Sequence, residues 1–331
     1  MLEFIGWGPH AQRAPTGKAD AEGNFFIKVV KSSTYSTGYS VQLTFGIILH
    51  AKDTALLKLI KTELKGIGRI WEGIAGRVQY QISSSKELGI LIAHLEKYPL
   101  LTQKWADYQL FKQAWEMIIR KEHLTAEGLK LILSIKAVMN GNGLSEKLTK
   151  SFPNLIPISR PTRDNNKDLI ELSKTSYVGT DLVNQKIYDP CWLIGFIDGE
   201  GCFFVKLRKA SDYNPGYLVS LKFQITQHCR DSLLLKNIVD YFGCGKYRET
   251  VKNNSGKFEI ESLKDIVKIL IPLLDKYPLL GIKHKDSVDF KEVAPEAAAA
   301  ADGGCFAVNL MKDGIHLTDA GVKKIEQIKS P

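Results

Sequence analysis

Two stretches of the 331-residue chain could do chemistry with carboxylates: ADAEGNFFIKVVK at 19–31 and IDGEGCFFVKLRK at 197–209. Before the second, the apolar run PCWLIGFI reads as a helix, and it ends on Asp198 and Glu200. A helix C-terminus already carries the negative end of the macrodipole, so an acid there is disfavoured by up to ~1 kcal/mol. Some partner must offset that cost. Carboxylates in such a place suit a hard divalent cation such as Mg2+, which takes oxygen ligands and keeps several of its waters. The plainer reading is a solvated Asp198 with Gly201 as a left-handed capping residue. Recurrence of the pattern decides between them.

The pattern does recur, as part of a duplication that covers most of the chain. SVQLTFGIILH (40–50) matches LVSLKFQITQH (218–228), and EKYPLLTQKWADYQLFKQA matches DKYPLLGIKHKDSVDFKEV. LKGIGRI matches YFGCGKY and EHLTAEGL matches IHLTDAGV, all in the same order. Glu22 and Glu200 therefore hold equivalent positions, 178 residues apart. A repeated acid at a repeated helix end takes most of the weight from the capping reading.

The elements that must position these acids follow from periodicity. After each acidic pair the residues alternate, with Phe25, Ile27 and Val29 against Asn24, Phe26 and Lys28. A second alternating run sets Val41, Leu43, Phe45 and Ile47 against Ser40, Gln42 and Thr44. The later copy sets Phe203, Val205 and Leu207 against Lys206 and Arg208, then Leu221, Phe223 and Ile225 against Ser220, Lys222 and Gln224. These are strands with one polar face. Further strands are expected at 69–72 with 78–82 and at 246–251 with 257–261. Amphipathic helices are expected at 52–65, 85–97 and 103–119, with counterparts at 230–242, 263–275 and 283–294. Helices on one face of each sheet leave the other face polar and basic. Between the halves, 141–187 is rich in Gly, Pro, Asn and charge and reads as a linker with short helical pieces.

Composition is consistent with this plan. The chain is long enough for two cores, with 44% hydrophobic and 24% charged residues. Its net charge of +9 favours a polyanion, although an anionic membrane surface or solubility alone would also accommodate it. The longest apolar stretch, LGILIAHL at 88–95, falls short of the ~20 residues of a bilayer span, so no membrane partner is expected. Five cysteines, at 191, 202, 229, 244 and 305, form no C-x-x-C pair, which argues against a disulfide framework or structural zinc. They read as reduced, mostly buried thiols. The first residues lack the basic and apolar regions of a secretory signal.

LIGFIDGEG (193–201), the weaker TGKADAEG (16–23), TFGI, KFQITQ and the two KYPLL…K segments resemble the LAGLIDADG homing endonucleases, in the single-chain form with two motifs. The resemblance implies an α+β fold of two pseudo-symmetric αββαββα-type units, each with a saddle-shaped antiparallel sheet, with the motif helices packed at the interface. The first unit would be 1–140, followed by the 141–187 linker and a second unit at 188–331. Gly17 and Gly195 would permit close helix approach. Glu22 and Glu200 would be the catalytic carboxylates and metal ligands, with the carbonyls of Ala21 and Gly199 as further ligands. The metal would be Mg2+, with Mn2+ or Ca2+ able to take the same sites. Lys104 and Lys283 match the family's basic residue near the scissile phosphates, and Gln227 matches a water-positioning residue whose counterpart here is Leu49. Double-stranded DNA would lie on the polar sheet faces, contacted by Lys28, Gln42, Thr44, Arg69, Gln79 and Gln81 and by Lys206, Arg208, Lys222, Gln224, Lys246 and Arg248. The implied activity is a site-specific double-strand break at a long asymmetric target, leaving short 3′ overhangs, made by a monomer in a mitochondrion or another organelle.

Two departures keep alternatives open. Lys18, Pro15 and Ala14 stand where the second copy has Phe196, Leu193 and Trp192, so the first motif helix should be short or poorly packed. Residues 1–17 read as joined from another exon or reading frame, as expected of an intron-encoded protein. PEAAAAADGGCFAVN at 295–309 reads as an insertion that breaks a helix with a protruding loop. An intron-RNA maturase of the same fold, or a decayed DNA-binding remnant, are the competing functions.

Overall fold

Each acidic pair is the end of a short helix, and the strand after it starts without a connecting loop. The computed structural model describes residues 13–163, 183–209 and 217–301. The chain divides into two compact units, one ending at Trp192 and the other starting at Leu193.

In the first unit, α1 (Ala14–Glu22) leads into β1 (Gly23–Lys31) and β2 (Tyr39–His50). There follow α2 (Thr54–Glu63), β3 (Arg69–Glu72), β4 (Arg77–Ile82), α3 (Ser85–Lys97), α4 (Lys104–Ile119), α5 (Ala126–Val138) and the short α6 (Glu146–Ser151). Helix α7 (Pro190–Glu200) runs into the second unit, which continues with β5 (Gly201–Lys209), β6 (Tyr217–His228), α8 (Ser232–Phe242), β7 (Lys246–Thr250) and β8 (Ser255–Ile260). A helical run at 263–276, α9, has a π-type middle at Ile266–Leu270. Helix α10 (Lys283–Ala301) closes the described part.

The duplication survives as topology. Both sheets have four antiparallel strands, in the orders β1-β2-β4-β3 and β5-β6-β8-β7. Register is shared as well: Phe25 faces Phe45 in the first sheet, and Phe203 faces Phe223 in the second. Period-two alternation fixes which face is buried, because a one-residue slip would turn every apolar side chain outward. Phe25, Ile27, Leu43, Phe45 and Ile47 are all buried, whereas Phe26, Lys28 and Gln42 are exposed.

The buried faces hold the same aromatic triangle. The Phe25 ring lies 5.2 Å from Phe45 and 5.2 Å from Phe111 on α4. Phe203 lies 5.2 Å from Phe223 and 5.3 Å from Phe290 on α10. Full burial is worth ~1.5–3 kcal/mol for each of Phe25, Phe45, Phe111, Phe223 and Phe290, Phe203 being only partly buried, and each ring pair adds ~0.5–1.5 kcal/mol. The helices carrying Lys104 and Lys283 are therefore fixed to the strands that follow the acids.

Several expectations are corrected. Helix α1 is short, but Ala14–Ala21 are buried throughout. Its small residues allow close packing, Pro15 sits in the first turn, where a missing N–H costs nothing, and Lys18 is buried with a polar or electrostatic partner. The insertion does not begin as a loop: α10 continues through Pro295 and the Ala297–Ala301 run, alanine being the best helix former. Residues 302–309 lie outside the described residues, as do residues 1–12 and Cys305. Of the four described cysteines only Cys191 is buried; Cys202 is exposed and Cys229 and Cys244 are partly buried. Cys202 is on the outward side of its strand, opposite Phe203, which explains its exposure. Of the 141–187 segment, residues 164–182 lie outside the described residues; in its described ends Arg160, Arg163 and Gln185 bond to the first unit. No helix among the described residues is long and apolar enough to cross a membrane.

Replacing Phe111 by alanine should lower unfolding free energy by about 3–5 kcal/mol through the transfer and cavity costs of a buried ring. A urea titration checks this. A loss under about 1 kcal/mol would show that the triangle does not hold α4 to the sheet.

Candidate active site and nucleic-acid interface

Glu22 and Glu200 are the last residues of α1 and α7, and both are partly exposed. Each is followed by a glycine required for a steric reason other than a left-handed turn. Gly23 has φ −68° and ψ 145°, and Gly201 is not among the positive-φ glycines. A Cβ on Gly23 would lie 2.5 Å from the Ala19 carbonyl oxygen, and one on Gly201 would lie 2.7 Å from that of Ile197. Only a bare Cα lets the strand leave the helix so closely.

The first acid of each pair does a different job from the second. Asp20 is buried and accepts hydrogen bonds from the Leu101 amide (2.8 Å), the Thr102 amide (3.0 Å), the Thr102 hydroxyl (2.6 Å) and the Trp192 indole (2.8 Å). Burial pushes its carboxyl above the ordinary range, and the Thr102, Leu101 and Trp192 bonds pull it back. Asp198 accepts from the amides of Leu280 (3.0 Å) and Gly281 (2.8 Å). Both aspartates thus anchor the turn that leads into a lysine-bearing helix. Sequence reasoning missed this role; the signal available was the repetition of Asp20 and Asp198 alongside the repeated KYPLL segments.

The lysines complete the arrangement. Lys104 Nζ donates to the carbonyl of Ala21 at 2.6 Å and to that of Ala19 at 3.4 Å. Lys283 Nζ donates to the carbonyl of Gly199. An ammonium group therefore sits on the carbonyl end of each acidic helix, where the macrodipole favours a cation. Each unit brings together one glutamate, one carbonyl and one lysine. The donors are oxygen only, the kind a hard divalent cation takes, and the ammonium shows that the carbonyl already attracts positive charge. No cluster of three or more His, Cys, Asp or Glu side chains is present among the described residues, so a cation here would need water or phosphate oxygens as well. Gly17 and Gly195 are buried within α1 and α7. Gln227 is partly buried on β6, and its counterpart Leu49 is buried on β2, so the two halves differ chemically.

The outward sheet faces carry the expected polar side chains. Lys28, Gln42 and Arg69 are exposed, while Thr44, Gln79 and Gln81 are partly buried, with Gln81 donating to the Thr44 hydroxyl at 3.4 Å. Phe26, Ile48 and Trp71 share that face and are exposed. In the second sheet Lys206, Arg208, Lys246 and Arg248 are exposed. Gln224 donates to Thr226. Lys222 is not free: it donates to the Glu259 carboxylate at 2.7 Å and lies 5.5 Å from the Phe204 ring centre. Arg248 lies 3.4 Å from Glu259 and 3.7 Å from Glu261. Glu259, 7% exposed, is thus an acid set into a basic face. Its alternation with Lys257 in SGKFEI was the available signal.

His94 on α3 hydrogen bonds the Thr16 hydroxyl of α1 at 3.2 Å. Burial lowers its pKa to about 4, with help from Lys97 and Lys65.

The family model for LAGLIDADG endonuclease matches residues 16–115 and 193–294. A "Probable intron-encoded endonuclease 2" of Neurospora crassa is 35% identical over 319 residues, which is 95% of this chain and 63% of that protein. A "Probable intron-encoded endonuclease 3" of the same organism is 37% identical over 94% of this chain and 52% of its own length. An "Uncharacterized 50.9 kDa protein in ND4 intron 1" of Podospora anserina is 45% identical over 33% of this chain and 25% of that protein. This chain therefore spans less than two thirds of the length of each of them. Among solved structures, I-SmaMI bound to uncleaved DNA target in the presence of calcium ions superposes with a TM-score of 0.81 and 34% identity, covering 96% of this chain and 97% of that chain. The same protein bound to cleaved DNA gives 0.82, over 96% and 95%.

Two outcomes follow. Glu259→Gln should raise non-specific duplex affinity several-fold at low salt, and the log Kd against log salt slope should steepen by about one or two, near 0.9 for each further phosphate neutralised. An unchanged slope would mean that Lys222 and Arg248 do not face phosphate. For His94, the unfolded chain takes up a proton below its ordinary pKa of 6.5 and the folded chain does so only near 4. Stability present above pH 6.5 is therefore lost as pH falls from about 6.5 towards 4. Thermal unfolding of His94→Gln across that range should show a shallower slope than wild type.

Proposed function

The chain belongs to the LAGLIDADG endonuclease family, and from that premise we propose that it hydrolyses phosphodiester bonds in both strands of double-stranded DNA at a long, asymmetric site, leaving short 3′ overhangs. It acts as a monomer, because one polypeptide supplies two units of the same design. The observation that carries this reading is the repeated placement of a lysine ammonium on the carbonyl beside the terminal glutamate of a helix, at Lys104 with Ala21 and at Lys283 with Gly199.

Within each unit the terminal glutamate and the neighbouring carbonyl, Glu22 with Ala21 and Glu200 with Gly199, would hold a metal, for which Mg2+ is the best match and Mn2+ or Ca2+ are alternatives. When bound, such a cation supplies an acidified water and neutralises charge on the leaving 3′ oxygen. Lys104 and Lys283 put a fixed positive charge beside the phosphate, where it counts most as negative charge develops. Gln227 orients the attacking water in the second unit through its amide, a task that Leu49 lacks the polar atoms to perform. The outward residues of both sheets bind DNA: Lys28, Arg69, Lys206, Arg208, Lys246 and Arg248 suit phosphate or guanine, and the glutamines suit adenine. Phe26, Ile48 and Trp71 add apolar surface for thymine methyl groups.

The names of the relatives, intron-encoded in genes such as ND4, support an organellar location and a target at the uninterrupted insertion site of an intron. The intact Asp20 network around α1 speaks against a decayed remnant.

Incubation of the purified chain with Mg2+ and a supercoiled plasmid carrying the uninterrupted site tests the proposal. Linear product is expected, absent with EDTA. Glu200→Gln should remove it, and Lys104→Ala should slow one strand by about 10²–10³-fold, the usual cost of removing a preorganised charge donor. Splicing of the host intron that survives Glu22→Gln, with no cleavage by wild type, would favour an RNA role instead.

A further inference from the structure

The turn before Lys104 is gripped from two sides. Its amides at Leu101 and Thr102 donate to Asp20. Its carbonyls at Leu100, Leu101 and Thr102 accept from one nitrogen, Arg163 Nη2, at 3.1, 3.0 and 2.8 Å. Arg163 is 5% exposed, and its guanidinium lies 5.0 Å from the centre of the Trp105 ring. The Leu101 carbonyl also accepts from Gln185 Nε2. One turn further on, Arg160 makes a bidentate pair with buried Asp107 at 2.7 and 2.9 Å and donates to the carbonyls of Val138 and Gln103.

All three donors come from the stretch that composition marks as a tether. A tether does not need a buried guanidinium, which costs free energy unless its donors are satisfied. Arginine's planar fork can stack on an aromatic ring while it serves several carbonyls, and lysine cannot do this. The held segment, residues 100–107, contains Lys104, whose ammonium reaches Ala21.

We propose that Arg163, supported by Gln185 and Arg160, is a positioning residue for the first catalytic centre: the linker clamps the 100–107 segment so that Lys104 is set on the carbonyl next to Glu22. Cleavage of one DNA strand thereby depends on the linker. This inference rests on the nuclease reading above.

The test uses the full chain on the supercoiled target plasmid with Mg2+. Arg163→Met keeps bulk and removes the fork; Arg163→Lys keeps charge alone; Gln185→Leu removes one donor from the same turn. Misplacement of a reacting group by about 1 Å can cost up to about 100-fold. Arg163→Met and Arg163→Lys should therefore accumulate nicked circles, with the second cut slowed about 10- to 100-fold and DNA affinity unchanged. The nick should fall on the strand that Lys104 does not serve, which is the strand that Lys104→Ala still cuts at the normal rate. Equal slowing of both strands, a nick on the other strand, or full rescue by Arg163→Lys would overturn the clamp. If Arg163→Met does not fold by circular dichroism, Gln185→Leu with Arg160→Gln decides by the same pattern. Wild type that fails to cut would sink the nuclease reading, whereas wild type that linearises while every linker variant does so at the same rate sinks only the clamp.

Discussion

Positive charge held at the carbonyl end of two short acidic helices is the constraint on which the rest depends. A glutamate at that end is unfavourable unless something offsets both it and the macrodipole. The chain meets the need twice in the same way, with Lys104 on Ala21 and Lys283 on Gly199. The lysines could not stay there unless their helices were fixed, and two further features fix them. Phe111 and Phe290 fasten these helices to the sheets, and Asp20 and Asp198 bind the turns in front of them. The sheets, in turn, start directly at the glutamates, so terminal glutamate, first strand and lysine helix form one connected frame in each unit.

The two copies share this frame and differ in what surrounds it. Trp192 and the linker donors Arg163 and Gln185 surround the Asp20 turn of the first unit. The second unit keeps Gln227 where the first has buried Leu49, and it places Glu259 where the first has Gln81. Duplication followed by divergence therefore left the backbone plan in place and altered the polar groups attached to it.

The sheets were legible in the sequence because alternation of Phe25, Ile27 and Val29 with Asn24, Phe26 and Lys28 has only one solution as a half-buried strand. The helices at 85–97 and 104–119 and their counterparts were legible for the same reason at the longer period. What could not be read depends on partners distant in sequence. Asp20 meets Leu101 and Thr102 some 80 positions away, and Arg163 meets the same turn from the far side. Alternation with Lys257 puts Glu259 on the outward face, but the cations it neutralises could not be read because Lys222 and Arg248 approach it only across strands. Pro295 and Gly201 mislead for a related reason. The commonest local role of each is a helix break or a left-handed cap, whereas the alanines after Pro295 carry the helix onward and a helix carbonyl sets the demand on Gly201.

The bare Cα atoms of Gly23 and Gly201 act as a fixed origin. Counting outward from them, each second residue of the strand presents a side chain about 6.8 Å further along, which is close to two base-pair steps of a duplex. An exchange of side chain at Asn24, Phe26 or Lys28 changes the group presented at a given distance and leaves the zero of the scale where it was. On the function proposed above, such a molecule could drift to a new sequence one letter pair at a time while the bond it breaks kept its place.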